Sequence, residues 1–248
     1  MTPSFPEGQR RHDMRAGPNV PLLIERLEAL VEKGTIRLGE FIVWQSGVYA
    51  LLDCVFSAQA RYRTVLQMLR DRFARRPGML DHADLSFAAF VLDVDGFGSN
   101  KFGRYGAEVL TRNVLAGRSK VEVCYESALF FSRLGLEKKR DLLTLPGPLL
   151  EHLVLGELRR AVRGIGPTLG KYLLMQFGRE DHIKPDVMVV RFFRSLTEWA
   201  PREGNQADAE IMREAIAAVA ARMGTTSARL DHAIWQYQSQ EGRGRGMR

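Results

Sequence analysis

Apolar residues in this chain return every three or four positions, and glycine or proline interrupts that period before any run grows long. Leu22, Leu23, Leu27, Leu30 and Val31 follow Pro21 at helical steps. Val65, Met68, Leu69 and Phe73 repeat the pattern, as do Val109, Leu110 and Val114, and later Ile211, Ala215, Ile216 and Val219. Such spacing lines one face of a helix of 3.6-residue period. Breakers fall at Pro77–Gly78, Gly96, Gly98, Gly117, Gly135, Pro146–Gly147–Pro148, Gly164, Gly166, Gly178, Pro185 and Pro201. Strand-like alternation is nearly confined to Val121–Val123. The pattern predicts an all-α fold of about ten short helices joined by tight turns.

With 45% hydrophobic and 26% charged residues, the chain has a globular balance and not a disordered one. Its 248 residues suffice for one large domain or two modest ones. Uncharged runs such as Phe41–Leu52 are too short to span a bilayer, and the N-terminal MTPSFPEGQRRHDMR lacks the apolar segment of a secretory signal. A chain that is neither membrane-bound nor secreted, cytoplasmic or nuclear, is expected. Lys plus Arg exceed Asp plus Glu by 36 − 29, a net charge of +7, which suggests a polyanionic partner without proving one. Residues 1–20, with Arg10, Arg11 and Arg15, read as a flexible basic arm, and 241–248, with three arginines and three glycines, as a disordered basic tail. The two cysteines, Cys54 and Cys124, cannot make a four-thiolate cluster. The five histidines show no metal-ligand spacing.

The most informative stretch is Leu158–Arg191, LRRAVRGIGPTLGKYLLMQFGREDHIKPDVMVVR. A helix ends near Arg163; Gly164-Ile165-Gly166 follows, and Pro167 opens a second helix that stops at Gly178. Two glycines around one apolar residue make a hairpin expected to be too tight for side chains at either glycine. Its free backbone N–H groups, backed by a helix dipole, can hold a phosphate without reading sequence. A plain αα-hairpin is the bland alternative, because a lone Gly-x-Gly is a weak motif. Twenty residues beyond Gly166 stands Asp186, in His182-Ile183-Lys184-Pro185-Asp186, just before the apolar run Val187–Phe193. Asp186 can cap that helix, and Pro185 keeps the approach extended.

Here the chain resembles the helix-hairpin-helix DNA glycosylase superfamily, the endonuclease III relatives, whose pattern is a Gly-[hydrophobic]-Gly hairpin followed at this spacing by an aspartate opening the next helix. A second match is Leu51-Leu52-Asp53-Cys54-Val55-Phe56-Ser57-Ala58-Gln59-Ala60, similar to the family's apolar helix ending in Ser-Ala-Gln. The two lie in the family's order, and together span Trp44–Arg194. The resemblance implies two all-α lobes: a helical barrel over 39–178, with the hairpin at 158–178, and a second lobe from 21–38 plus 179–240. It implies double-stranded DNA as partner, a monomer, and release of one flipped base.

Residue by residue, the resemblance makes Asp186 the catalytic carboxylate, able to stabilise an oxocarbenium-like sugar and orient water; a simple helix cap is the alternative. Gln59 resembles the side chain that enters the duplex where the base has left. Gly164, Ile165 and Gly166 would bind phosphate through the backbone, where the family often also holds a monovalent cation on hairpin carbonyls. The family's imine-forming lysine is here Thr168, which cannot form an imine, so a monofunctional enzyme is expected. Lys171, one turn on, is expected at a phosphate or in solvent. Family members carry Asp-x-His where this chain has Asp186-Val187-Met188. No cysteine follows Cys124, so no iron–sulfur cluster and no required cofactor are expected. Asp53, alone on an apolar helix, either bonds a base edge or pairs with an arginine; Trp44 and Tyr49 either stack on a flipped base or pack in the core. Arg191 and Arg194 suit solvent or phosphate equally. A hairpin module that binds DNA without chemistry and a helical interaction scaffold are the competing classes. The excised base, and whether the role is genome repair or attack on foreign DNA, are not legible.

Overall fold

The structure, a computed structural model, describes the backbone of residues 18–39 and 41–245 and side chains as far as Ser239. Most of the expected basic arm, Arg10, Arg11 and Arg15 included, lies outside these residues. The expected tail starts too early: the backbone is helical to Arg245, so the last helix carries on through two of the tail's glycines.

Thirteen α-helical segments, with short π and 3-10 turns between some of them, make up the described chain. The one sheet among the described residues pairs Val114–Leu115 with Arg118–Ser119 around Ala116 and Gly117, both at positive φ. Val121–Val123 is not a strand. Ser119 Oγ accepts the Val121 N–H at 3.2 Å and starts the helix Lys120–Arg133, which buries both valines.

The helix Gly47–Ser57 is the axis of the first core. Ser46 caps it by accepting the Tyr49 N–H, and every residue from Gly47 to Phe56 is buried, as a helix apolar on all sides requires. Glycine is needed at its start, because a Cβ on Gly47 would lie 2.6 Å from the Phe87 ring. The helices Phe87–Asp95, Lys120–Arg133 and Pro167–Gln176 pack around it, and this core takes in residues from Phe41 to Phe177.

A second core draws on both ends of the chain: Leu23 and Leu27 from Val20–Glu32, Val190 and Phe193 from Val187–Leu196, Met212 and Ile216 from Gln206–Arg222, and Leu230 and Ile234 from Ser227–Arg245. The last helix joins the two lobes, since Ala228 packs in the first core and Leu230 in the second. Between the lobes lies a cleft. No helix among the described residues is long and apolar enough to cross a membrane.

Candidate active site in the interlobe cleft

The hairpin is made by glycines that differ in kind. Gly164 has φ +115°, and a Cβ there would meet Val123 Cγ2 at 3.1 Å; only glycine suits it. Ile165 folds into the core. Gly166 is extended (φ −84°, ψ 176°), and a Cβ there would meet nothing within 4 Å. The expectation that both positions exclude a side chain is therefore corrected: the fold demands glycine only at 164, whereas the bareness of 166 leaves open space outside the turn. Among the turn's carbonyls, Val162 O accepts the Ile165 N–H and Arg163 O accepts from the Arg118 guanidinium at 3.3 Å. A guanidinium at that oxygen fits poorly with a monovalent cation beside it.

Beyond the helix Pro167–Gln176, Gly178 (φ +102°) turns the chain, and Glu180 O accepts the Ala228 N–H at 3.0 Å, tying the loop to the last helix. Asp186 then caps Val187–Leu196. Its Oδ1 accepts the N–H groups of Met188 (2.9 Å) and Val189 (3.3 Å), and its Oδ2 lies 3.9 Å from Lys184 Nζ. One oxygen holds the helix start, and the other faces the cleft's lysine.

The cleft has a volume of about 940 Å³, in the range of small-molecule sites. Lys184, Asp186 and Met188 line one side; Ser57, Gln59, Tyr62 and Tyr172 another; Asp231, His232 and Trp235 descend from the last helix. Tyr62 meets Trp235 edge-on at 5.8 Å and His232 at 6.1 Å, while His232 and Trp235 are nearly parallel. Lys184 Nζ sits 4.0 Å from the centre of the Tyr172 ring. Burial, aided by Lys184, lowers His232 to about 4, leaving a neutral imidazole near pH 7. Asp231 is only 3% exposed, and its Oδ1 is buried without a hydrogen-bond partner. Burial first, then the charge of Asp186, raises its carboxyl well above the usual range, against the pull of the Lys184 amide and ammonium.

Trp44, Tyr49 and Asp53 do not line this cleft, which corrects their placement in a base pocket. Tyr49 is buried and donates its hydroxyl to Met79 O at 2.7 Å. Trp44 packs against it and donates Nε1–H to Asp53 Oδ2 at 2.7 Å. Asp53, fully buried, also accepts from Ser57 Oγ (2.7 Å) and Tyr62 OH (3.3 Å), with Tyr172 and Gln176 at 3.4 Å. Its partners are neutral donors, not an arginine. Burial raises its carboxyl; these hydrogen bonds pull the other way. Asp53 thus sits one layer behind the cleft, tying together Ser57, Tyr62 and Tyr172, which do line it.

Gln59 lines the cleft mouth, exposed and at positive φ (55°). The turn is held by Lys120, whose buried Nζ donates to Phe56 O at 3.1 Å and to Ala58 O. Thr168 and Lys171 do not line the cleft of Asp186; they line a separate recess with Pro167, Pro185 and Arg202. Lys171 pairs with Glu210 of the second lobe at 3.3 Å, so it is not free for a phosphate as expected. Arg191 and Arg194 are exposed. The fold also assembles Glu151, Asp181 and His182, their ligand atoms within 4.8 Å of one another, which spacing alone did not reveal. Arg179 reaches both carboxylates, at 3.9 and 3.4 Å, and supplies the positive charge there.

Lys184, Tyr62, Tyr172, Asp231, His232 and Trp235 escaped the sequence reading. A signal existed for one: Asp231 interrupts Leu230, Ala233 and Ile234 as a lone acid on an apolar helix face.

Two solved structures resemble this one. The 8-oxoguanine DNA glycosylase Tm1821 of Thermotoga maritima is 16% identical, with a TM-score of 0.50 over 88% of this chain and 96% of that one. MBOgg1, in complex with a low-affinity DNA ligand, is 16% identical, with a TM-score of 0.52 over 91% of this chain and 72% of that one. At this identity the likeness carries the fold, which is the two-lobed, all-α helix-hairpin-helix glycosylase fold. No curated protein matches the sequence. A family model described as a domain of unknown function, DUF8548, matches residues 42–239.

Proposed function

The chain belongs to the DUF8548 family, a domain of unknown function, and we propose that it is a monofunctional DNA glycosylase, releasing one flipped base from double-stranded DNA as a monomer and leaving an abasic site. The observation that carries this reading is the placement of Asp186: a carboxylate fixed by two backbone N–H groups, on the wall of an aromatic-lined cleft large enough for a nucleoside. Loss of a base leaves positive charge on the sugar. A pre-oriented anion stabilises that charge without reorganising, and the same oxygens can orient the attacking water.

The remaining parts have matching roles. The open side of Gly166 lets a DNA phosphate approach the hairpin N–H groups at the start of the helix Pro167–Gln176. Gln59, at the cleft mouth, fills the gap left by the departed nucleotide, and Tyr62 and Trp235 offer ring faces to the flipped base. Thr168 lacks an amine. Lys184, the lysine beside Asp186, is engaged by a carboxylate and a ring face. One structural neighbour bears the name of an 8-oxoguanine DNA glycosylase and the other was solved with a DNA ligand, which supports this class over a hairpin module without chemistry; 8-oxoguanine is the first base to try.

The test is Asp186→Asn on duplexes carrying single lesions. Base release is expected to fall by at least about a thousandfold while DNA binding persists, and borohydride is expected to trap no covalent adduct with the wild type. Release at the wild-type rate by Asp186→Asn would overturn the assignment.

A further inference from the structure

Two carboxyl groups line the cleft, and their surroundings differ. Asp186 is partly exposed, anchored by backbone N–H groups and faced by Lys184. Asp231, on the helix Ser227–Arg245, is almost wholly buried, yet it lines the same cleft, and its Oδ1 is buried without a hydrogen-bond partner. A buried, unpartnered polar atom costs about 1–3 kcal/mol, so an oxygen left that way on a residue of the cleft wall points to a proton or a ligand that completes it. We propose that Asp231 is a second catalytic residue of this site, the acid that delivers a proton to the departing base while Asp186 steadies the sugar.

This rests on the glycosylase reading above and adds a division of labour between the carboxyls. Two carboxyls held in unlike environments are the usual means by which one site contains both an anion and an acid at one pH. The groups facing Asp231 favour the acid form: burial and the negative charge of Asp186 oppose its ionisation, and Lys184 only partly offsets them. His232, its neighbour on the helix, is neutral near pH 7. Tyr62 and Tyr172, from the other lobe, are phenols that burial keeps protonated. The step balances. As the C1′–N bond breaks, its electron pair goes to the base, and the proton of Asp231 goes to an acceptor atom of that base. Water adds to C1′ and gives its proton to solvent by way of Asp186, and Asp231 regains a proton from solvent.

A base that is already cationic before the bond breaks leaves as a neutral molecule and needs no such proton. Single-turnover excision should therefore be followed from pH 5 to 9 on duplexes carrying one uracil or 8-oxoguanine, which without a donated proton leave as anions, and one 7-methylguanine or 3-methyladenine, which are already cationic. With Asp231→Asn, release of the first pair is expected to fall by about a hundredfold or more, against at most about tenfold for the second. The wild type's loss of rate at alkaline pH should vanish in the variant. Equal losses on both pairs, persistence of the alkaline limb in Asp231→Asn, or a wild type that releases only the cationic bases would each overturn the proposal. Should Asp231→Asn fail to fold, the infrared carbonyl band of the protonated acid in the wild type decides: it should persist to pH 7 and disappear at lower pH in Asp186→Gly than in wild type, and its absence at pH 6 would overturn the assignment. A wild type that releases no base from any duplex refutes the glycosylase reading itself, whereas unchanged selectivity in Asp231→Asn refutes only the role of Asp231.

Discussion

Lys184 and Asp186 face each other across a single proline, the ammonium 3.9 Å from Oδ2 of the carboxylate. Behind burial, which is the larger cause for each, the same ammonium pulls both His232 and Asp231 downward, so one cation touches both titrating groups of the cleft. Lys184→Met should raise both groups, because loss of a positive neighbour favours the protonated form of each. The imidazole of His232, followed by NMR, is expected to titrate above its present value of about 4. Stability tests the sign. The unfolded chain's histidine takes up its proton near pH 6.5, and the folded one only near 4, so His232 costs the wild type stability as pH falls through that window. The window, and the loss, should shrink in Lys184→Met. A His232 titration that does not move would place the ammonium elsewhere.

Asp53 and Tyr62 make a different kind of pair, one structural and one at the cleft surface. Asp53→Ala strips the acceptor from Trp44 Nε1, Ser57 Oγ and Tyr62 OH together. Leaving such donors buried is expected to cost about 2–5 kcal/mol, read as a lower denaturant midpoint at unchanged slope. Asp53→Asn, which retains one acceptor and the shape, should cost less. Binding of a base should weaken in Asp53→Ala even at temperatures where the fold survives, because Tyr62 and Tyr172 lose a common anchor.

Asp53 and Asp231 also mark how far the sequence could be followed. Each is a lone acid on an apolar helix, flanked by leucine and by cysteine or histidine, and periodicity treats them alike. What separates them is tertiary: Asp53 meets five donors from four segments, whereas Asp231 lines the cleft and keeps a buried oxygen unpaired. The hairpin and the cap at Asp186 were legible because their geometry is local, set by residues within a turn of one another. Lys171 illustrates the converse. It lies close to the hairpin in sequence, yet the packing of Gln206–Arg222 gives it Glu210, and the lysine that reaches the site is Lys184.

Gln59 holds a backbone conformation that non-glycine residues seldom adopt, at φ 55°, and such strain is retained where a position has work to do. Gln59→Gly is expected to gain about 0.5–1 kcal/mol of stability and to lose about tenfold or more in excision from duplex DNA. Single-stranded substrate, with no gap to fill, should be less affected. Lys120→Met removes the ammonium from the carbonyls of Phe56 and Ala58 and should lower both stability and duplex excision, since the same turn is released. Thermal melts and single-turnover assays check both variants.

The two hairpin glycines provide a separation of fold from function. Gly164→Ala forces a side chain into a positive-φ position with Val123 at 3.1 Å, and should destabilise the protein by about 1–2 kcal/mol. Gly166→Ala asks nothing of the fold: its φ of −84° suits alanine, and its Cβ would meet no protein atom within 4 Å. Its stability should stay within about 0.5 kcal/mol of the wild type. If a phosphate occupies the open side of this turn, the added methyl blocks it, so duplex affinity should fall about tenfold and the salt dependence of binding should flatten. Wild-type affinity and salt slope in Gly166→Ala would mean that DNA is held elsewhere, by the basic surface and not by the hairpin.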